Sequence, residues 1–119
     1  MKQRDVLIAS MQEALTDRAL VELRDSLSER VGRLRAHAVI IDLTALDVVD
    51  SFATRTIRGI AYTARLRGAR TVVVGIQPEV AFAMVQLGLT LDGVETALDL
   101  EEGLSLVEQA ARGSGRDAG

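Results

Sequence analysis

Ser51 directly follows Asp50 in the run Asp47-Val48-Val49-Asp50-Ser51-Phe52, and arginines follow it at 55, 58 and 65. A hydroxyl among carboxylates and guanidinium groups suits either a nucleophile or a phosphate acceptor. A serine nucleophile needs a base, and the only histidine, His37, falls at the opposite end of the preceding strand, so no Ser-His-Asp set assembles. Asp42, Asp47 and Asp50 are three carboxylates without helical spacing or other clustered ligands, a pattern of strand-end and turn residues more than of a hard-metal site. Gly75-Ile-Gln-Pro lacks the glycine spacing and the Lys-Ser/Thr ending of a phosphate-binding loop. No catalytic residue, metal or cofactor is therefore expected.

Ser51 remains as a target. A phosphate there adds about −1.5 to −2 charges where a helix N-terminus favours an anion, with Arg55 one turn on and with Asp47 and Asp50 opposing it. Local physics alone favours a plain structural role, since serine is among the preferred N-cap residues. Both roles require a strand that hands Ser51 to a helix. Ala38 to Leu43 is a short apolar run rich in β-branched residues, as in a strand covered on both faces of a mainly parallel sheet. From Ser51 the period becomes helical. At about 100° per residue, Ala53, Ile57, Ile60, Ala61 and Ala64 form one face, and Ser51, Arg55, Arg58, Tyr62 and Arg65 another. The apolar face must pack on the sheet, which leaves the arginine stripe for solvent or a partner.

The other elements are read from the same signals. Val6 to Met11 reads as a first strand after a polar, loose start over Met1 to Asp5. Thr16 or Asp17 caps a helix with Leu20, Leu23, Leu27, Val31 and Leu34 inward. Gly68 closes the serine helix in a left-handed conformation. Thr71 to Ile76 is another buried strand, and Pro78 opens a helix closed by Gly88. Val80, Ala83, Met84 and Leu87 cluster on one side of that helix, yet Ala81, Phe82 and Val85 occupy much of the other. It is either buried on two sides or covered by a partner. Val94 to Leu98 forms the last strand, and Asp99 with Glu102 starts a final helix with Leu104, Val107 and Ala111 inward. The expectation is one α/β domain over residues 1–111, with a four- to five-stranded mainly parallel sheet and about four helices, and a disordered tail over 112–119.

The 119 residues fit one domain and contain no cysteine. A net charge of −3 argues against nucleic-acid binding. The absence of an apolar run of 18 or more residues, or of a basic-then-apolar leader, argues against a membrane span or secretory signal. These features together predict a soluble, cytoplasmic protein. Hydrophobic content is 48% with three aromatics, somewhat more apolar surface than a lone small domain needs, which hints at assembly.

Read together, Val39-Ile40-Ile41-Asp42-Leu43-Thr44, the Asp50-Ser51-Phe52 turn, Gly75-Ile-Gln-Pro78 and Leu87-Gly88 resemble a STAS domain of the stressosome scaffold type, an anti-sigma factor antagonist-like group. The resemblance implies a non-enzymatic scaffold that holds a switch serine/threonine kinase within a large assembly containing STAS-domain sensor paralogues. Phosphorylation at Ser51 releases the kinase, and a phosphatase resets the site. Asp47, Asp50, Phe52, Arg55 and Arg58 then belong to the switch loop and partner surface, and Phe82 and Val85 to a homodimeric STAS–STAS contact. Two other readings remain open at this level. One is a sporulation-type anti-anti-sigma factor that binds an anti-sigma kinase, although Phe52 stands where such proteins carry a small residue. The other is a small-molecule or nucleotide-binding α/β domain. Phospho-accepting receiver domains are similar in size, but their late-strand lysine has no counterpart, because no lysine follows Lys2.

Overall fold

A computed structural model describes residues 5–13 and 16–118, with side chains through residue 109. Strands and helices alternate along the chain: β1 (Val6–Ser10), α1 (Asp17–Leu34), β2 (Ala38–Asp42), α2 (Ser51–Leu66), β3 (Arg70–Val74), α3 (Pro78–Gln86), β4 (Glu95–Ala97) and α4 (Leu100–Ala118). The four strands are parallel and lie in the order β1-β2-β3-β4. Right-handed crossovers between strands in consecutive order must place α1, α2 and α3 on the same face of the sheet.

The packing matches that rule. Leu20, Leu27 and Val31 of α1, Ala53, Ile57, Ile60 and Ala64 of α2, and Val80 and Met84 of α3 share one core with Leu7, Val39, Ile41 and Val73. The opposite face carries Ala38, Ile40, Val72 and Val74 beneath Leu100 and Val107 of α4. Central β2 is thus covered on both sides, and Val39, Ile40 and Ile41 are 0% exposed. That double burial is why β2 reads as a continuous apolar run and not as an alternating one.

Helix ends obey capping chemistry. Thr16 accepts a hydrogen bond from Ala19 N at 3.1 Å, and Asp99 accepts one from Glu102 N at 2.9 Å. At the end of α2, Gly68 N bonds Arg65 O and Ala69 N bonds Ala64 O, with Gly68 at φ +82°. This is a Schellman motif, and α3 ends the same way through Gly88 and Leu89.

Several expectations need correction. Leu34 and Leu104 are 38% and 39% exposed instead of inward. Helix α4 meets the sheet through Leu100, Gly103 and Val107, because Gly103 comes so near that a Cβ there would lie 2.7 Å from Val74 Cγ1. That close approach turns Leu104 outward. In α3 only Val80 and Met84 are buried, while Ala83 and Leu87 join Ala81, Phe82 and Val85 at the surface. The helix is therefore not buried on two sides within this chain. Helix α4 extends to Ala118 and so runs into the stretch 112–119 read as a tail. Residues 1–4 and 119, parts of the expected loose start and tail, lie outside the described residues, as does the Ala111 side chain.

Candidate functional site

Asp42 ends β2 and folds the chain immediately after it. Its Oδ1 accepts Thr44 N at 2.9 Å and Thr44 Oγ1 at 2.6 Å, an Asx-type turn that swings the chain off the sheet. From there the loop to α2 is pinned by Leu46 and Val49, 3% and 6% exposed, while Asp47 and Asp50 are exposed and Val48 is 65% exposed. Two apolar pegs hold a loop whose intervening residues face outward.

The next strand end braces this loop. Gln77 Nε2 donates to Thr44 O at 2.8 Å. Gly75 has φ +78°, and a Cβ there would collide with Thr44 Oγ1 and lie 3.1 Å from Asp42 Oδ1. Glycine is thus required at 75 both for its backbone conformation and for the space that Thr44 occupies. Gln77 makes no capping bond to α3, and its side chain reaches across the gap to Thr44 instead. The Gly-Ile-Gln-Pro segment is therefore a brace for the β2–α2 loop.

The cap of α2 is Asp50, not Ser51 as the change of period suggests. Asp50 is extended (φ −84°, ψ −180°), and its Oδ1 accepts Ala53 N at 2.8 Å. A carboxylate is both a good cap and favourable at the positive helix end, so it takes the position one residue earlier. Ser51 becomes the first helical residue, exposed, and its hydroxyl bonds no described residue. The neighbouring hydroxyls behave differently. Thr54 Oγ1 donates to Asp50 O at 2.9 Å and Thr56 Oγ1 to Phe52 O at 2.8 Å, and the two residues are 1% and 7% exposed. Ser51 is the accessible hydroxyl of the helix's first two turns.

The residues expected around Ser51 divide in two. Asp47, Asp50 and Arg55 are exposed beside it, and Arg55 forms no ion pair or hydrogen bond with a described residue. Phe52 is half-buried and packs against the main core, which makes it an anchor for the first turn of α2 more than an open contact. Arg58 and Arg65 do not form one free stripe with Arg55. Arg58 Nη1 reaches Thr90 Oγ1 at 3.4 Å and Arg65 Nη2 reaches Gly93 O at 3.5 Å, both on the α3–β4 connection. Phe82 and Val85 lie on the outer face of α3, 65% and 77% exposed. The brace formed by Thr44, Gly75 and Gln77 was not among the expected site residues; a glycine directly after the buried Val72-Val73-Val74 run is the sequence signal that points to it.

His37 is confirmed at the far end of β2, where its backbone carbonyl accepts Arg70 N and its amide donates to Asp5 O. Among the described residues there is no group of three or more His, Asp or Glu side chains placed to hold a metal ion. No helix among them is long and apolar enough to cross a membrane.

A parallel four-stranded sheet with three helices on one face, one on the other, and an acidic loop presenting a serine at a helix start defines a STAS domain. The chain belongs to the STAS-domain family, which matches residues 1–103. It is related to stressosome proteins in particular. It is 35% identical over 89 residues to the RsbT co-antagonist protein RsbRA of Bacillus subtilis, covering 75% of this chain and 32% of that protein. The co-antagonist RsbRB of the same organism is 30% identical over 90 residues, covering 76% and 32%. The chain thus spans about a third of the length of these two co-antagonist proteins. Among solved structures, a serine-to-glutamate variant of RsbS from Moorella thermoacetica superposes with a TM-score of 0.79 at 33% identity, covering 94% of this chain and 95% of that one. A chain from the stressosome, described as a signal integration and transduction hub, gives 0.73 at 31% identity, covering 94% and 97%.

Proposed function

We propose that this protein is a non-enzymatic stressosome scaffold, acting in the cytoplasm, that sequesters a switch serine kinase and releases it when Ser51 is phosphorylated. Its partners on this reading are that kinase, a STAS-domain sensor paralogue, a phosphatase acting on Ser51, and a second copy of itself within a large assembly. The observation that carries the reading is the handover at α2: Asp50 supplies the cap, so Ser51 stands exposed with its hydroxyl uncommitted. Phosphorylation of Ser51 then costs the helix no capping bond.

The same geometry explains why phosphate would act as a release signal. The α2 N-terminus already holds the Asp50 carboxylate on Ala53 N, and Asp47 is exposed in the same loop. A phosphate of about −1.5 to −2 charges beside them concentrates like charge on a surface whose nearest uncommitted cation is Arg55. Repulsion of a partner docked on this corner is then a larger effect than any gain from the helix dipole, which contributes only about 0.3–1 kcal/mol at an exposed site. Consecutive strand order fits this role as well. Among the described residues the strand order does not reverse, so the sheet lacks the switch point at which doubly wound folds receive nucleotides. A surface for proteins is left there.

The test is kinase retention on size-exclusion chromatography of the assembled scaffold and paralogue. Wild-type protein should carry the kinase, and Ser51→Glu should weaken retention by ~tenfold or more, about 1.4 kcal/mol. Equal retention by the two proteins would contradict the release mechanism.

A further inference from the structure

The two edges of the sheet are built differently. An edge strand presents unpaired backbone groups, and proteins blunt such edges by keeping them short or by placing charge on them. Strand β4 does both: it has three residues, begins at Glu95, and holds that carboxylate on Arg70. Strand β1 does neither. It has five residues, Val-Leu-Ile-Ala-Ser, and no charge among them.

The bonding of β1 to β2 fixes which of its groups are open. His37 N donates to Asp5 O, and Met11 N donates to Asp42 O. Residues of a strand alternate in the direction of their backbone groups, so Asp5, Leu7, Ala9 and Met11 turn theirs to β2. Val6, Ile8 and Ser10 turn theirs to the open edge, where no turn, loop or cap bond among the described residues reaches them. The side chains alternate as well. Leu7 and Ala9 join the core shared with α1, while Ile8 stands in register with Ile40 on the α4 face. Helix α4 covers that face incompletely at β1. Val6 packs against its core, but Ile8 is 50% exposed and Ser10 is exposed.

We infer that β1 is an interface between copies of this chain: two molecules join antiparallel through β1 about a two-fold axis at Ile8, merging their four-stranded sheets into one. The register follows from the open groups. With Ile8 facing its counterpart, Val6 faces Ser10 of the second copy and Ser10 faces Val6 of the second copy. Every open N–H and C=O then meets a partner, each pair exchanging both bonds. Charge selects a second copy as the occupant. A two-fold axis sets the strand against its own residues, which like charges would oppose and which uncharged β1 permits. Strand β4 of another molecule offers three residues against five and would leave part of the edge open. The exposed Ile8 side chains also meet at the axis and lose contact with water. An isologous contact alone closes at a dimer, so this edge together with the outer face of α3 lets copies assemble further. Only that last step rests on the scaffold reading.

The test is amide hydrogen exchange by NMR on the full chain at rising protein concentration, alongside sedimentation equilibrium. Exchange at the Ile8 and Ser10 amides should slow about tenfold or more as the protein self-associates, while Leu7 and Ala9 stay protected throughout. Ile8→Lys sets like charges together at the axis and should weaken self-association about tenfold or more. Its thermal unfolding when dilute should stay close to wild type, because the side chain is half exposed. The chain has no cysteine, so Ile8→Cys gives a thiol whose only disulfide partner is on another copy. The paired Cα atoms lie about 5.5 Å apart in this register, within disulfide reach. Mild oxidation should therefore yield covalent dimer much faster than for Leu66→Cys, at an exposed position on α2. Exchange at Ile8 and Ser10 that does not depend on concentration, or equal crosslinking by the two cysteine variants, would overturn the pairing. Protection that arises only on adding a STAS-domain paralogue would overturn the choice of a second copy. Phosphorylation of Ser51 is read separately, so failure of this contact and failure of the switch are distinguishable.

Discussion

Helices α2 and α3 start from equivalent places, the carboxyl ends of adjacent parallel strands, and lie on the same face of the sheet, yet they are held very differently. Helix α2 buries Ala53, Thr54, Thr56, Ile57, Ile60, Ala61 and Ala64 and is capped by Asp50, whereas α3 buries only Val80 and Met84 and has no side-chain cap. The difference comes from position. Strand β3, which leads into α3, is flanked by the three-residue β4, so α3 crosses the sheet near its edge and has little of the core beneath it. The lesson is a division of labour between anchoring and contact. On our proposal, the switch serine sits on the rigid helix, where a local change in charge is not dissipated by movement. The exposed apolar face belongs to the lightly held helix, suited to being covered by another copy.

The contrast can be broken first at the anchor. Ile57→Ala removes a side chain only 2% exposed and should cost about 2–5 kcal/mol in chemical denaturation, a large share of a small domain's stability. A loss under ~1 kcal/mol would mean that α2 is not the better-anchored helix. Next comes the link between the two regions. Gly75→Ala forces a left-handed backbone on alanine and displaces Thr44, at a cost of about 1–3 kcal/mol, and amide shifts should move in the 43–50 loop as well as in α3. Shifts confined to α3 would show that the brace does not reach the switch loop.

Smaller effects sharpen the comparison. Asp50→Ala should cost about 1 kcal/mol and raise hydrogen exchange at Ala53 N, with Ser51 available as a weaker substitute cap. Paired Phe82→Ser and Val85→Ser should each change monomer stability by no more than about 0.5 kcal/mol, since both are exposed. The same pair should weaken self-association in sedimentation velocity; unchanged assembly would remove α3 as the contact.

Much of this architecture was legible in the residue pattern, and the gaps have physical causes. The Val39-Ile40-Ile41 run could hardly be anything but a doubly covered strand, and Thr16, Asp99, Gly68 and Gly88 mark helix ends because capping chemistry is local. The exchange of roles between Asp50 and Ser51 was not legible, since both types cap well and one residue of register decides between them. Arg58 and Arg65 read as free cations because periodicity reports a helix face and cannot see a loop 28 or 32 residues away that returns to cover it. Leu104 failed for a similar reason, as a glycine, Gly103, supplies the contact that an apolar side chain was expected to make.

The central claim is that Ser51 is the phosphorylated switch, and phosphosite mapping by mass spectrometry tests it most directly. The protein, assembled with its paralogue, is incubated with ATP and the switch kinase from the same organism, with a kinase-free sample as control. The account predicts kinase-dependent phosphate on Ser51 and none on the buried Thr54 or Thr56. An unmodified Ser51, with the kinase demonstrably active on another substrate, would contradict it and leave Ser51 as the first residue of a helix and nothing more.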